Sequence, residues 1–222
     1  MRIDLLEKNK IKFTRRELLI AFSAALIIAV SLIFPQATLG ESFWLSFFLF
    51  AVFPVGIIRF LLKEPFENFG FSWKKSWRGA ALSLVIILIF VSANYYLVFH
   101  SAVANHLPVV RSITAGFLSF LLFEIFLSLP LHFFSEIFFR GFLQMGLEKK
   151  LGLFSLVAAT ILQTAPFLRG NWVVISLIFF SSLAAGLIVR QSRSVIYSTL
   201  SMWIISVSLD IMIVKVINQG GF

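Results

Sequence analysis

The sequence predicts an all-α integral membrane protein, a bundle of about seven transmembrane helices, and three observations lead to this fold class. Of the 222 residues, 59% are hydrophobic and only 13% are charged, whereas soluble domains carry about 25% charged residues. The apolar residues form seven long runs, and a helix needs about 20 such residues to cross a bilayer. Basic residues are concentrated between the runs. We therefore expect one multi-pass membrane domain covering residues 1–222.

Each apolar run is much longer than a β-strand, and a helix satisfies its own backbone hydrogen bonds in lipid, so every run is expected to be helical. In chain order the predicted helices are Leu18–Phe34, Phe43–Leu62, Gly79–Phe99, Ile113–Gly146, Leu153–Leu168, Trp172–Val189 and Val195–Ile217. No clear small-residue cleavage site follows the first run, which predicts an uncleaved span rather than a signal peptide. The fourth run exceeds one crossing, and Pro130 predicts a bend or a tilt within it.

The distribution of basic residues predicts the orientation. Fifteen Lys and Arg residues lie in the amino-terminal tail (residues 1–17) and around the loops after the second, fourth and sixth runs, whereas three lie on the other side. Cytoplasmic loops are enriched in positive charge, so we expect a cytoplasmic amino terminus and an outside carboxyl terminus. In the loop 63–78, aromatic residues alternate with Lys and Arg, which predicts a segment at the headgroup level. Lipid, and not nucleic acid, is therefore the expected partner of these charges.

Five ionisable residues lie inside the predicted helices, and such residues are functional candidates because unpaired charge is disfavoured in a bilayer. They are Glu124, His132, Glu136, Arg140 and Asp210. His132, Glu136 and Arg140 are spaced four apart and therefore share one helix face, on which Glu136 and Arg140 can pair directly. Taken alone, such a pair would neutralise itself and hold helices together.

The segment SEIFFRGFL, followed by LEKKLG, resembles the first motif of the CAAX protease and bacteriocin-processing family, also called the Abi family. Its members are multi-span intramembrane metalloproteases or their relatives. Their motif has two adjacent glutamates, three further residues and then arginine, usually within Phe-Arg-Gly. Glu136, Arg140 and Gly141 match the second glutamate, the arginine and the glycine, whereas Ser135 stands in place of the first glutamate. The resemblance implies a CAAX-protease-like bundle.

The resemblance extends in pattern over residues 60–217. The link before the family's third helix resembles FENFGFSWKKSWRG. The helix SVIYSTLSMWIISVSLD resembles the family's last motif helix, in which a histidine is followed four residues later by Asn or Asp. Met202 and Ser206 occupy these two places.

The region of the second motif, ATILQTAPFLRGN, offers Gln163, Thr164 and Pro166, which are poor zinc ligands. In the family, the first glutamate acts on water and histidines on two later helices help to form the catalytic site. All three histidines of this chain precede Glu136, so the later helices cannot supply one.

These departures favour a catalytically inactive relative, a pseudoenzyme that keeps the scaffold and the intramembrane cleft, needs no cofactor, and binds a hydrophobic peptide, a lipid or a membrane protein. Two alternatives stay open. A relocated site of Glu124, His132, Glu136 and Asp210 would make an active intramembrane endopeptidase with zinc as cofactor, because His132 and Glu136 have the i, i+4 spacing of metal ligands on one helix. The second alternative is a small membrane transporter, in which a transport path would contain Glu124, Glu136 and Asp210. The sequence shows no internal repeat of the kind that many transporters have.

Overall fold

The computed structural model describes residues 13–34, 38–72, 76–100, 116–168 and 170–218, and these residues form helices and connecting loops without any strand. This confirms the all-α fold class. The helices are α1 (Arg15–Ile33), α2 (Leu39–Leu62), α3 (Trp77–His100), α4 (Phe117–Leu151), α5 (Leu153–Phe167), α6 (Trp172–Ser192) and α7 (Val195–Asn218). Three parts of the predictions lie outside the described residues: the tail up to residue 12, residues 73–75 of the basic loop, and the start of the fourth helix at Ile113.

Six of these helices are long and apolar enough to cross a membrane, as expected for an integral multi-pass membrane protein. The exception is α5, which has 12 α-helical residues and then a 3-10 turn and so reaches only about 22 Å of the roughly 30 Å of hydrocarbon. α5 ends early because Pro166 lies in that turn. The next helix, α6, begins soon afterwards, and the Asn171 side chain caps it by accepting a hydrogen bond from the Val173 amide at 2.8 Å.

The chain crosses the bundle between α4 and α6, and α5 covers most of that distance. Glu148, near the end of α4, forms ion pairs with Arg190 and Arg193 at the end of α6. The end of α4 and the end of α6 therefore lie together. Because α6 has 21 residues, its first turn is about 30 Å away, and the chain must travel that distance between α4 and α6.

The central helix is α4, which packs against α1, α2, α5, α6 and α7. Its first turn is exposed, as Phe117 and Leu118 show, whereas all nine residues of Ile137–Met145 are buried. Two segments of α4, Glu124–Ser128 and Ile137–Met145, are wound as π-helix, a conformation frequent at functional sites. Pro130 lies two residues after the end of the first of them, and both a proline and a π-turn change the direction of a helix.

The loop between α2 and α3 packs into the bundle as well as lying at its end. It forms a 3-10 turn, Phe66–Phe69, in which the Phe69 ring is fully buried beside Phe142, with ring centroids 6.4 Å apart. The loop carbonyls of Gly70 and Ser72 accept hydrogen bonds from the start of α7. The headgroup-level position expected for the loop aromatics therefore does not apply to Phe69, which is part of the core.

Arg16 joins the ends of three helices at this side of the bundle. It forms an ion pair with Glu64 after α2, and its Nη1 donates to the Gly146 carbonyl in α4 at 2.6 Å. Its guanidinium also lies over the Phe69 ring, 5.6 Å from the centroid. Hydrogen bonds from Arg16 and Asn68 hold the pKa of Glu64 below its ordinary value of 4.5.

Gly141→Ala should lower the free energy of unfolding by about 1–3 kcal/mol, the usual cost of overpacking. The added Cβ would stand 2.9 Å from the Phe69 carbonyl oxygen, so the loop or α4 must move. Gly56→Ala in α2 is the matched control, since nothing lies within 4 Å of its Cβ. It should be neutral or stabilising by up to about 1 kcal/mol, because alanine is the better helix former. Thermal unfolding in detergent measures both, and equal melting temperatures would contradict this packing.

Candidate functional site

The expected ion pair between Glu136 and Arg140 is present in the fully buried half of α4. Arg140 is 0% exposed and Glu136 is 2% exposed. The Arg140 Nε lies 3.8 Å from Glu136 Oε1. The pair stands at the start of the second π-helical segment, where every side chain faces another helix or the loop. Both charges are therefore removed from lipid and water, and each needs further partners.

The guanidinium of Arg140 finds its partners on two neighbouring helices. Its Nη2 donates to Gln163 Oε1 on α5 at 2.7 Å, and to both the carbonyl and the hydroxyl of Ser182 on α6 at 2.5 Å. Its Nη1 donates to Gln144 Oε1, one turn further along α4, at 3.4 Å. Arg140 therefore connects α4 to α5 and α6 by hydrogen bonds to a charged donor, which are stronger than neutral ones.

Glu136 extends the network to the last helix. Its Oε2 accepts a hydrogen bond from the Ser198 hydroxyl on α7 at 2.5 Å. On the other side, Gln163 Nε2 donates to the Ser135 hydroxyl at 3.0 Å. The motif positions Ser135, Glu136 and Arg140 thus belong to one hydrogen-bonded network that joins four helices.

A cavity of about 610 Å³ adjoins this network, and all seven helices contribute to its wall. Four of the family-motif positions line it: Ser135 and Glu136 from α4, and Met202 and Ser206 from α7. Arg140 stands outside the wall. Most of the lining is aliphatic or aromatic, and the volume falls within the range of about 300–1,000 Å³ that is usual for ligand sites.

Three of the four residues of the alternative site line one cavity, and the fourth lies outside its wall. His132, Glu136 and Asp210 line the cavity, but Glu136 is held by Arg140 and Ser198. Glu124 is buried outside that wall, and its carboxyl group lies near that of Asp210. Over the described ranges, no group of three or more His, Cys, Asp or Glu side chains could hold a metal ion.

Three partners in the network were not identified from the sequence. Gln144 could have been, because it continues the four-residue spacing of Glu136 and Arg140 along one helix face. Ser182 and Ser198 could not, because small hydroxyl residues are common in membrane helices and nothing local marks those that meet α4. Gln163 was considered as a metal ligand, and its observed contacts are with Arg140, Ser135 and Ser182.

Comparisons with protein-family models, with curated proteins and with solved structures gave no match. The chemistry of the site therefore has to be read from its own geometry. The motif positions on α4 hold helices together through the network, and Ser135 offers a hydroxyl where a water-activating base would need a carboxylate. Beside them, the cavity offers a space whose wall is mostly apolar and also includes hydroxyl, amide, imidazole and carboxyl groups.

Arg140→Ala should be strongly destabilising, because it leaves Glu136 charged and buried without a counter-charge; breaking such a pair costs about 3–5 kcal/mol. Glu136→Gln should cost less, since an amide oxygen can still accept from Ser198. Arg190→Ala is the control: Arg190 is 3.4 Å from Glu148 but has 40% of its side chain exposed, and such pairs contribute at most about 1 kcal/mol. Melting temperatures in detergent provide the comparison. An unchanged value for Arg140→Ala would refute the network as a stabilising element.

Proposed function

We propose that this protein is a catalytically inactive relative of the CAAX protease and bacteriocin-processing family, and that it binds a hydrophobic peptide segment or a lipid in its intramembrane cavity. One observation carries the proposal. The polar groups at the motif positions of α4 are engaged in hydrogen bonds between helices, while the cavity of about 610 Å³ beside them is lined mostly by apolar side chains. The network thus accounts for the motif residues, and the cavity provides the binding space.

The meeting of α4 and α7 at the cavity supports the family assignment. The resemblance concerns two distant segments, and its motif positions Ser135 and Glu136 lie on the same cavity wall as Met202 and Ser206. In the family, the corresponding positions contribute to one site. The four positions therefore have the arrangement that the resemblance implies.

The side chains at these positions support binding rather than hydrolysis. A serine hydroxyl does not deprotonate water near neutral pH, and the Ser135 hydroxyl accepts a hydrogen bond from Gln163. Met202 is buried in an apolar cluster with Ile86 and Ala185, and a thioether is a poor ligand for zinc. For a relocated site, Glu136 would have to leave Arg140 and Ser198 to act beside His132.

Ser206→Phe should weaken the binding of an apolar ligand, because the new ring would fill part of the cavity. The assay uses a variant with Trp203 as its only tryptophan, in phosphatidylcholine nanodiscs. The apolar ligand is 11-bromoundecanol, whose bromine quenches the fluorescence of Trp203 when the ligand binds nearby. Trp203 is next to Met202 in sequence, and its indole donates to the Glu124 carbonyl at 3.1 Å. We expect the affinity to fall about tenfold, which corresponds to about 1.4 kcal/mol. Ile204→Phe, on an exposed face of α7, should change it by less than about twofold.

Elemental analysis and a peptide-cleavage assay test the alternative, an active zinc endopeptidase. Protein purified without chelators is analysed for zinc and incubated with farnesylated and unmodified membrane peptides. We expect no stoichiometric zinc and no cleavage, since a missing general base alone removes about 10²–10⁴-fold of rate. One zinc per chain, together with cleavage that is lost in His132→Ala, would show an active relocated site and overturn the proposal.

We further propose a cytoplasmic amino terminus and an outside carboxyl terminus, on the basis of the fifteen-to-three asymmetry of Lys and Arg. Contacts of Arg16 with Glu64 and of Arg193 with Glu148 bring several of these basic segments to one end of the bundle. Epitope tags at the two termini are probed in intact and in permeabilised cells. In intact cells the amino-terminal tag should be protected and the carboxyl-terminal tag accessible, and permeabilisation should make both accessible. Two tags on the same side would exclude an odd number of crossings.

A further inference from the structure

A second pair of acidic side chains lies in the bundle, apart from the network of Arg140. Glu124, in the first π-helical segment of α4, is 2% exposed, and neither of its carboxylate oxygens has a hydrogen-bond donor among the described residues. Its carboxyl group contacts that of Asp210 on α7, and Asp210 forms part of the cavity wall. The hydrogen bond from the Trp203 indole to the Glu124 carbonyl holds α7 against this segment.

No cationic side chain of the described cavity wall faces this pair. Two neighbouring carboxylates repel one another when both are ionised, so the pair holds at least one proton and at most one negative charge, which a cation bound beside it would stabilise. Among the residues that the structure describes, no Lys or Arg lines the cavity, and Arg140 is paired with Glu136. His132 and Glu136 are the other titratable groups on the wall, and none of the four ion pairs found in the described ranges joins His132 to either carboxyl group.

A single positive charge with N–H donors would complete the site. Buried charges in membrane proteins are paired, and Glu124 and Asp210 present acceptor oxygens next to an apolar space. A hard metal ion is a poor fit, since Mg²⁺ and Ca²⁺ need six or more oxygen ligands. An alkylammonium group needs only a few acceptors, and its apolar chain suits the wall formed by Phe90, Phe123 and Leu209.

We propose that the Glu124–Asp210 pair recognises the ammonium group of an amphiphilic amine whose apolar chain occupies the cavity. This inference rests on the proposed function, because it assumes that the cavity binds an apolar ligand. It adds the chemical class of that ligand and the two residues that select it. Asp210 would contact the ammonium group directly, and Glu124 would act from behind it.

The test compares 11-bromoundecylamine with 11-bromoundecanol in the nanodisc assay, in which Trp44, Trp73, Trp77 and Trp172 are replaced by phenylalanine and concentrations are expressed per lipid. The two probes differ only in their polar group. The amine should bind at least about tenfold more tightly than the alcohol, as expected when a hydrogen bond to a charged group is added. Asp210→Asn and Glu124→Gln should abolish this preference and leave the affinity for the alcohol within about twofold. Glu67→Gln, which removes an exposed acid from the loop between α2 and α3, should keep it.

The outcomes separate the two proposals. Equal binding of amine and alcohol to the unaltered chain, or a preference that persists in Asp210→Asn, would overturn the ammonium site while leaving the binding cavity in place. Quenching by neither probe would overturn the proposed function and this inference with it. If Glu124→Gln does not fold, as judged by size-exclusion profile and melting temperature, Asp210→Asn decides alone, because its side chain is on the cavity wall.

Discussion

The burial of one guanidinium group governs the arrangement of the central helices. Arg140 is a permanent charge without exposure to water or lipid, and arginine cannot lose its proton to avoid the cost. The bundle must therefore bring acceptors to it. It does so with Glu136 on the same helix, Gln163 on α5 and Ser182 on α6. Since a guanidinium group donates in fixed directions, these contacts set how far each helix is shifted and rotated relative to α4.

The same requirement explains why the part of α4 that holds Arg140 is also the most buried. All nine residues of Ile137–Met145 are covered, by helices on several sides and by the loop that carries Phe69. The absence of a side chain at Gly141 lets the Phe69 carbonyl approach closely. In this way the loop after α2 closes the end of the bundle over the charged pair, and Arg16 fastens that loop to α1 and α4.

The two acidic sites of the bundle differ in how their charge is balanced. Glu136 has a cation and a hydroxyl donor, and its contacts are complete within the protein. Glu124 and Asp210 lie next to one another and to the cavity, and no cationic side chain of the described cavity wall balances their charge. A network in which the charges are paired stabilises one arrangement of helices, whereas a pair of acids at a cavity wall without a cationic side chain beside it is the kind of arrangement that favours a charged ligand. This difference separates the structural role that we assign to the first site from the recognition role that we assign to the second.

The sequence by itself determined the class of protein, the positions of its helices and the pairing of Glu136 with Arg140. These properties are local: apolar runs of bilayer length specify helices, and four-residue spacing places two side chains on one face. It did not show that α5 is too short to cross a bilayer, or that Phe69 lies in the core, because both depend on where neighbouring elements end. Only the tertiary structure decided that Ser182 and Ser198 complete the network and that Glu124 pairs with Asp210. Those contacts join residues far apart in the chain, and no periodicity encodes how helices rotate to bring their polar groups together.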